Sequence, residues 1–179
     1  MTAIHIPEDR IGVLLAQNGQ PLKLLEEKLH AKVEVKESGQ VKIVECPPEN
    51  YLKAVNYLTA IAYGFNPEKA KILFEDDTII QIIDLKKELK KENRIRQIKG
   101  RIIGKKGRMW KEIENSIGVF LSIYNNYVAI IGFSIQVYYA LDIIRLIMRG
   151  AEFARVYQEL ERIKREILFA DLSKKIAGA

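Results

Sequence analysis

The residues best suited to binding a ligand form a short loop, Gly104-Lys105-Lys106-Gly107. Glycine lets the backbone adopt positive φ and lets a ligand approach the main chain closely. Trp110, Ile113 and Ile117 follow the loop at helical spacing, so a helix is predicted to begin there. The free N–H groups and positive dipole end of that helix would face the loop. Phosphate is the natural occupant of such a site.

The loop lies within the most basic stretch of the chain, residues 86–111. This stretch holds twelve Lys and Arg against two Glu, a net charge of +10, whereas the whole chain carries +6. Concentrated positive charge of this kind is the electrostatic footprint of a polyanionic partner. The side chains predicted to contact phosphate are Lys105, Lys106, Arg108 and Lys111 at the loop, and Arg94, Arg96, Lys99 and Arg101, which form a basic track before it.

A second helix must position the loop from its other side. Apolar residues precede the loop at helical spacing: Ile95, Ile98, Ile102 and Ile103. A phosphate-binding P-loop needs four residues between its glycines and a Ser or Thr after its lysine. Three residues separate Gly100 from Gly104, and Lys106 follows Lys105, which excludes a P-loop. The alternative is a plain corner between two helices whose lysines are solvated, and the isoleucine pair and the charge favour ligand binding over it.

The sequence Ile-Ile-Gly-Lys-Lys-Gly-Arg, residues 102 to 108, resembles the signature loop of KH domains. In that family the loop clamps the backbone of about four nucleotides of single-stranded nucleic acid. The resemblance implies that Gly104 and Gly107 lie against the sugar-phosphate backbone. Bases would rest in a groove lined by Ile103, the helix that starts at Gly107 and the strand 119–124, where ribose hydroxyls distinguish RNA from DNA.

An internal repeat appears when the chain is shifted by 88 positions. Gly19 then aligns with Gly107, and apolar residues align without a gap: Leu25 with Ile113, Val35 with Ile123, Ile43 with Ile131, and Val55 with Ile143. Each half is predicted to run strand, helix, helix, strand, strand, helix. Together with the KH resemblance, this order implies an α+β fold of two tandem type I KH domains. The predicted segments are a first domain 1–64, a linker 65–77, a second domain 78–150 and a C-terminal helix and tail 151–179.

The first half departs from the loop pattern. Ala16-Gln17-Asn18-Gly19 occupies the aligned position, so one glycine and both lysines are missing, and we expect an exposed turn before a helix from Gln20. Residues 1–85 carry nine basic and thirteen acidic side chains, so a phosphate would meet a net repulsive field. We therefore interpret the first domain as degenerate, with a structural or protein-binding role.

The added helix is predicted over residues 151–170. Its apolar residues recur at spacings of three and four: Phe153, Val156, Leu160, Ile163 and Ile167. We expect this stripe to pack on the protein's own surface, and the alternative is a seam for a partner helix. The tail from Asp171 is predicted to fray.

Composition argues against several classes of function. Cys46 is the one cysteine, the chain has two histidines, and no Cys-x-x-Cys occurs, so we predict no disulfide, metal site or cofactor. No apolar run approaches the roughly 20 residues of a membrane span. Residues 1–10 contain Glu8 and Asp9 and no apolar core, so no signal peptide is expected there. These features predict a cytoplasmic protein.

Two segments resemble the partner-of-Nob family of archaeal and eukaryotic small-subunit ribosome-assembly proteins. They are Gly-Phe-Asn-Pro-Glu-Lys-Ala (64 to 70) and the basic run from Lys91 to Arg108. The resemblance implies binding near the 3′ end of small-subunit ribosomal RNA beside the Nob endonuclease that cuts there. Because the long N-terminal extension of eukaryotic members is absent, the chain resembles the archaeal ones.

Three functions remain open at this point. The first is a non-catalytic RNA-binding factor in ribosome biogenesis and rRNA processing. The second is an RNA- and protein-binding adaptor in translation initiation. The third is a nuclease or phosphotransferase with its own active site. It would need a metal-holding carboxylate or histidine cluster near the loop, yet residues 86–111 contain only Glu88 and Glu92 as carboxylates. No catalytic residue is therefore predicted.

Overall fold

The order strand, helix, helix, strand, strand, helix occurs twice in the computed structural model, which describes residues 3–36 and 39–177, and the second half contains two further helices. The first half contains β1 (Ala3–His5), α1 (Glu8–Leu14), α2 (Ala16–Leu29), β2 (Lys32–Val35), β3 (Gln40–Glu45) and α3 (Pro48–Ala62). The connection forms α4 (Pro67–Ala70) and a 3-10 turn (Lys71–Phe74). The second half contains β4 (Thr78–Asp84), α5 (Leu85–Leu89), α6 (Glu92–Ile103), α7 (Arg108–Ile117), β5 (Phe120–Tyr124), β6 (Tyr127–Phe133), α8 (Ser134–Met148) and α9 (Phe153–Ala177). The predicted α+β class and element order are confirmed.

Each half builds one three-stranded antiparallel sheet whose third strand is central. The orders are β1-β3-β2 and β4-β6-β5. Positive φ angles also recur 88 residues apart: Asn18 (57°) matches Lys106 (55°), and Gly19 (76°) matches Gly107 (73°). The two halves therefore share backbone detail as well as topology, although their loop residues differ.

The second sheet is buried on both faces. Along β6, Val128 and Ile130 belong to the core of the second half, whereas Ala129 and Ile131 belong to the core of the first half. Successive side chains of a strand point to opposite faces, so a strand buried on both faces is a continuous apolar run. The helices of the first half therefore pack against the back of the second sheet.

Polar contacts also join the first half to the second sheet, and we call this boundary the junction. The Ser122 hydroxyl donates to the Tyr63 carbonyl oxygen at 2.8 Å, and the Tyr124 hydroxyl donates to the Asp9 carboxylate at 2.7 Å. The rings of Tyr63 and Tyr127 meet edge to face with centroids 5.0 Å apart. Burial and the hydrogen bond to Asp9 raise the pKa of Tyr124 above its ordinary value, so the hydroxyl keeps the proton it donates.

The added helix α9 packs against α7 and α8. Val156, Leu160 and Ile163 are buried in the core of the second half, so the prediction that the stripe covers the protein's own surface is confirmed. The predicted end at residue 170 is wrong, because α9 continues to Ala177. Residues 171–177 contain neither glycine nor proline, so nothing stops the helix there. The last two residues of the predicted tail lie outside the described part.

The assigned helix α2 begins at Ala16 and so includes the turn predicted before Gln20. Asn18 and Gly19 have positive φ within it, so the chain still turns just before Gln20. The first half has alanine where the second half has Gly104, and alanine does not favour the positive φ found at that glycine. No helix within residues 3–36 and 39–177 has the length and apolarity needed to cross a membrane.

The junction between the halves predicts a sensitive glycine. Gly64 has φ +97°, and a Cβ there would lie 2.5 Å from the Ser122 hydroxyl and 2.9 Å from the Tyr124 Cβ. We expect Gly64→Ala to lower the free energy of unfolding by about 1–3 kcal/mol, measured by chemical denaturation.

Gly12→Ala is the matched control. Gly12 lies in α1, and a Cβ there would meet no atom within 4 Å. This substitution should be neutral or stabilising by up to about 1 kcal/mol. Equal destabilisation by both alanines would contradict the close packing at the junction.

Candidate nucleic-acid interface

The loop is a single 3-10 turn between two helices. The helix α6 ends at Ile103, residues Lys105–Gly107 form the turn, and α7 begins at Arg108. The Gly107 N–H donates to the Gly104 carbonyl oxygen at 3.2 Å, which closes the turn. Gly104, Lys106 and Gly107 all have positive φ, of 72°, 55° and 73°. The backbone therefore reverses within four residues and presents its outer surface to solvent.

The two glycines meet different requirements. A Cβ on Gly104 would lie 2.7 Å from the Met109 Cβ and 2.8 Å from the Met109 nitrogen, so only glycine allows the loop to press against the first turn of α7. A Cβ on Gly107 would meet no atom within 4 Å. Gly107 is needed for its φ, and the open space beside it leaves the main chain accessible to a ligand.

The cations predicted at the loop surround one cleft. It has a volume of about 490 Å³ and is lined by Lys105, Lys106, Arg108, Lys111 and Glu112. The four cationic side chains are exposed and, within the described part of the chain, form no hydrogen bond or ion pair. Among the described residues, no side chain caps the N-terminus of α7. The site therefore offers unpaired cations and the positive end of a helix to an anion.

The basic track is divided between structural and free side chains. Arg94 donates to the Met148 carbonyl oxygen at 3.0 Å, and Arg101 donates to the carbonyl oxygens of Ile147, at 2.9 Å, and Ala151. These carbonyls lie at the C-terminal end of α8 and just beyond it, where helical partners run out and Arg is favoured. Both arginines thus fasten α6 to α8.

Of the other two residues in the basic track, Lys99 has a structural hydrogen bond and Arg96 is free. The Lys99 ammonium donates to the Asn125 carbonyl oxygen at 2.8 Å and holds the β5–β6 turn. Arg96 is exposed and has no hydrogen bond or ion pair among the residues that the structure describes. That these four side chains contact RNA stays a prediction, and Arg96 is the one whose guanidinium is free to do so.

The groove predicted for the bases begins at Ile103. Its side chain is 41% exposed at the end of α6, next to the loop. The strand β5 is at the edge of the second sheet, and the Leu121 N–H on it donates to the Glu114 carboxylate at 2.8 Å. Ile103 thus offers an apolar surface beside the cations, and its contact with bases stays a prediction.

Two residues near this edge were not singled out from the sequence. The Lys69 ammonium lies 3.4 Å from the Glu114 carboxylate and 5.1 Å from the centroid of the Phe120 ring. Lys69 comes from the connection between the halves, 45 residues before Glu114. Lys69 lies in segment 64–70, which resembles the family sequence, but spacing along the chain does not reveal a pair 45 residues apart.

In the part of the chain that the structure describes, the aligned loop of the first half has no comparable site. Beside it lies a cavity of about 470 Å³ whose lining includes Val13, Pro21 and Leu24. Tyr57 also lines this cavity, and its buried hydroxyl has no hydrogen-bond partner in the described residues. Burial raises the pKa of Tyr57 far above its ordinary value, so the hydroxyl stays neutral. This largely apolar surface is unsuited to phosphate.

The carboxylates and histidines of the described segments do not form a metal site. No group of three or more His, Cys, Asp or Glu side chains within residues 3–36 and 39–177 is placed to hold a metal ion.

The division of the basic track predicts two different mutant phenotypes. Arg101→Gln removes the guanidinium that satisfies two backbone carbonyls, so we expect a loss of about 1–3 kcal/mol in the free energy of unfolding. Arg96→Gln alters a free, exposed side chain on the same helix and should change stability by less than about 0.5 kcal/mol. Urea denaturation of both variants measures the difference, and equal stability of the two would contradict the structural role of Arg101.

Comparison with known proteins places this loop in a family. Residues 79–165 match the model of the second KH domain of PNO1, a eukaryotic-type KH domain of type I. A KH domain-containing protein of Methanocaldococcus jannaschii is 37% identical over 168 residues, which cover 92% of this chain and 74% of that protein.

Two solved structures have the same fold over nearly the whole chain. A protein of unknown function from Aeropyrum pernix superposes with a TM-score of 0.90 at 31% identity, covering 99% of this chain and 97% of that one. The complex of a/eIF2alpha, aDim2p and rRNA from Pyrococcus horikoshii OT3 gives a TM-score of 0.84 at 36% identity, covering 92% and 94%. The chain therefore belongs to the partner-of-Nob (PNO1) family of KH-domain proteins.

Proposed function

We propose that this protein binds single-stranded RNA and acts in assembly of the small ribosomal subunit, near the 3′ end of the small-subunit ribosomal RNA. One observation carries the proposal: four exposed cations, unpaired among the residues that the structure describes, surround a glycine-flanked turn at the N-terminus of α7. The Pyrococcus horikoshii Dim2p, which is similar over most of its length, is described in a complex with rRNA.

The RNA backbone is held by the loop. Because Gly107 has no side chain, the main chain beside it is accessible, and a phosphate reaches the first N–H groups of α7. Lys105 and Lys106 neutralise the phosphates on either side, and Arg108 and Lys111 extend the contact along the next turn of the helix. Arg94, Lys99 and Arg101, although held by carbonyls, add positive potential that steers RNA to the site, and Arg96 adds a free contact.

Ile103 supports the bases. Its exposed side chain offers an apolar surface to a base whose phosphate is held at Gly104. Bases of single-stranded RNA are splayed from the stack and are recognised on their edges, while the 2′-hydroxyl distinguishes RNA from DNA. The first half contributes rigidity through the shared sheet rather than RNA contacts.

The protein acts without catalysis of its own and works in the cytoplasm with a separate nuclease of the Nob type. A second candidate is an RNA- and protein-binding adaptor in translation initiation, which is favoured because the similar Dim2p is described in complex with a/eIF2alpha. The two roles are compatible, since one surface binds RNA in both.

Matched Asp substitutions in the two loops test whether only the loop at residues 104–107 binds RNA. In one variant Lys105 and Lys106 become Asp, and in the matched control Gln17 and Asn18 become Asp. Contact with phosphate turns into repulsion in the first variant, so its affinity for a short single-stranded RNA should fall by more than about tenfold in fluorescence anisotropy. The control should lose little affinity, because residues 16–19 hold no cation.

Both variants should remain folded, as checked by circular dichroism. Lys106 and Asn18 have a left-handed backbone conformation, which Asp tolerates. Asp near a helix N-terminus also stabilises the helix by about 0.3–1 kcal/mol. Equal losses of affinity would mean that both halves grip RNA.

The absence of catalysis is tested directly. The purified protein should leave a labelled RNA spanning the 3′ end of the small-subunit rRNA intact with Mg²⁺ or Mn²⁺ present, and cleavage should require an added nuclease. Metal-dependent cleavage by the protein alone, lost on substitution of one of its carboxylates, would overturn the non-catalytic role.

A further inference from the structure

A second cleft lies away from the loop, between the start of α8 and the second half of α9. Its volume is about 560 Å³. Its apolar lining includes Phe133, Ile135 and Ile167, and the carboxylic acids on its rim are Asp77, Glu166 and Asp171. No lysine or arginine is among the described residues that line it.

Exposed apolar surface is concentrated at this end of the molecule. At the start of α8, Phe133 is 43% and Ile135 is 60% exposed. On α9, Leu168 is 60% and Phe169 is 73% exposed. The second half of α9 therefore has apolar residues on more than one side, which is expected of a helix that is covered on more than one side. Contiguous apolar surface rimmed by polar groups marks an interaction site.

The three rim carboxylates differ in whether they have a partner. Glu166 pairs with Arg162, and the Tyr139 hydroxyl donates to it at 3.2 Å. The carboxylates of Asp77 and Asp171 have no hydrogen bond or ion pair within the described residues. In a chain of net charge +6, this acidic rim repels RNA phosphate and attracts a cationic partner.

We propose that this cleft docks a basic amphipathic helix of a protein partner, with its apolar face on Phe133, Ile135 and Ile167 and its lysines or arginines on Asp77 and Asp171. Helix-in-groove recognition uses this combination of an apolar stripe and flanking charges. The site is separate from the loop at residues 104–107 and does not depend on RNA binding there.

Two synthetic peptides test the proposal on the full chain. Both are amphipathic 18-residue helices with the same leucine and phenylalanine face, and the polar face carries lysine in one and glutamate in the other. By fluorescence anisotropy the lysine peptide should bind about tenfold or more tightly than the glutamate peptide, and its affinity should fall with added salt. Equal affinity of both peptides, or binding of neither, would overturn the proposal.

Single substitutions locate the binding. Ile135→Glu should abolish lysine-peptide binding without unfolding the protein, because Ile135 is exposed in the first turn of α8, where an acid is favoured. Asp171→Lys should weaken binding several-fold. Leu52→Glu, at an apolar residue 66% exposed in α3, is the matched control and should have no effect.

Two other results would show that the cleft does not bind a basic helix of a partner. If Ile135→Glu leaves peptide binding intact while substitution of Lys105 and Lys106 by Asp alters it, the peptide binds elsewhere and the proposal is wrong. Self-association in sedimentation velocity that Ile135→Glu abolishes would assign the cleft to a second copy of this chain and would likewise overturn it.

Discussion

The structure depends on a sheet that is covered on both faces. The strand β6 gives Val128 and Ile130 to one core and Ala129 and Ile131 to the other. A one-residue slip of β6 would exchange these two sets of side chains, so both cores fix the same register. The two halves are therefore one mechanical unit. The loop between α6 and α7 is presented from a scaffold rather than from a separate small domain.

The candidate site separates cations that build the fold from cations that remain free. Arg94, Lys99 and Arg101 are held by carbonyls at the end of α8 and in the β5–β6 turn. Their hydrogen bonds fix α6 against the rest of the second half and so fix the position of Gly104 against Met109. Within the described part of the chain, the cationic side chains at the loop are left unpaired. Unpaired surface cations have no stabilising role to explain them, which is why their clustering points to a polyanionic ligand.

The repeat gives an internal comparison of two loops on one backbone. Asn18 and Gly19 keep the left-handed conformation of Lys106 and Gly107, yet Ala16 replaces Gly104 and no lysine is present. The backbone geometry is thus retained where the charge is lost. This pattern is expected if the first half is kept for its packing against the second sheet, through contacts such as Tyr63 with Tyr127 and Asp9 with Tyr124, and not for phosphate binding.

Much of this architecture follows from local sequence, and the rest depends on distant contacts. The 88-residue register, the strands and the loop were predictable because alternation, helical spacing and glycine positions are local signals. The apolar run of β6 is also visible, but which core each residue enters is not. The structural role of Arg101 and the pairing of Lys69 with Glu114 arise from residues 45 or more positions apart, and charge alone does not distinguish them from ligand-binding cations. The helix α9 extends beyond its predicted end at residue 170, because residues 171–177 contain no glycine or proline to end it.

The central claim is that the turn at residues 104–107 grips the backbone of single-stranded RNA while the aligned turn of the first half does not. Titration of the ¹⁵N-labelled protein with a short single-stranded RNA, followed by amide chemical shifts, tests this directly. The account predicts that the largest shift changes occur from Gly104 to Lys111, with little change at Asn18 and Gly19. Changes of similar size at both turns, or changes confined to the first half, would contradict it.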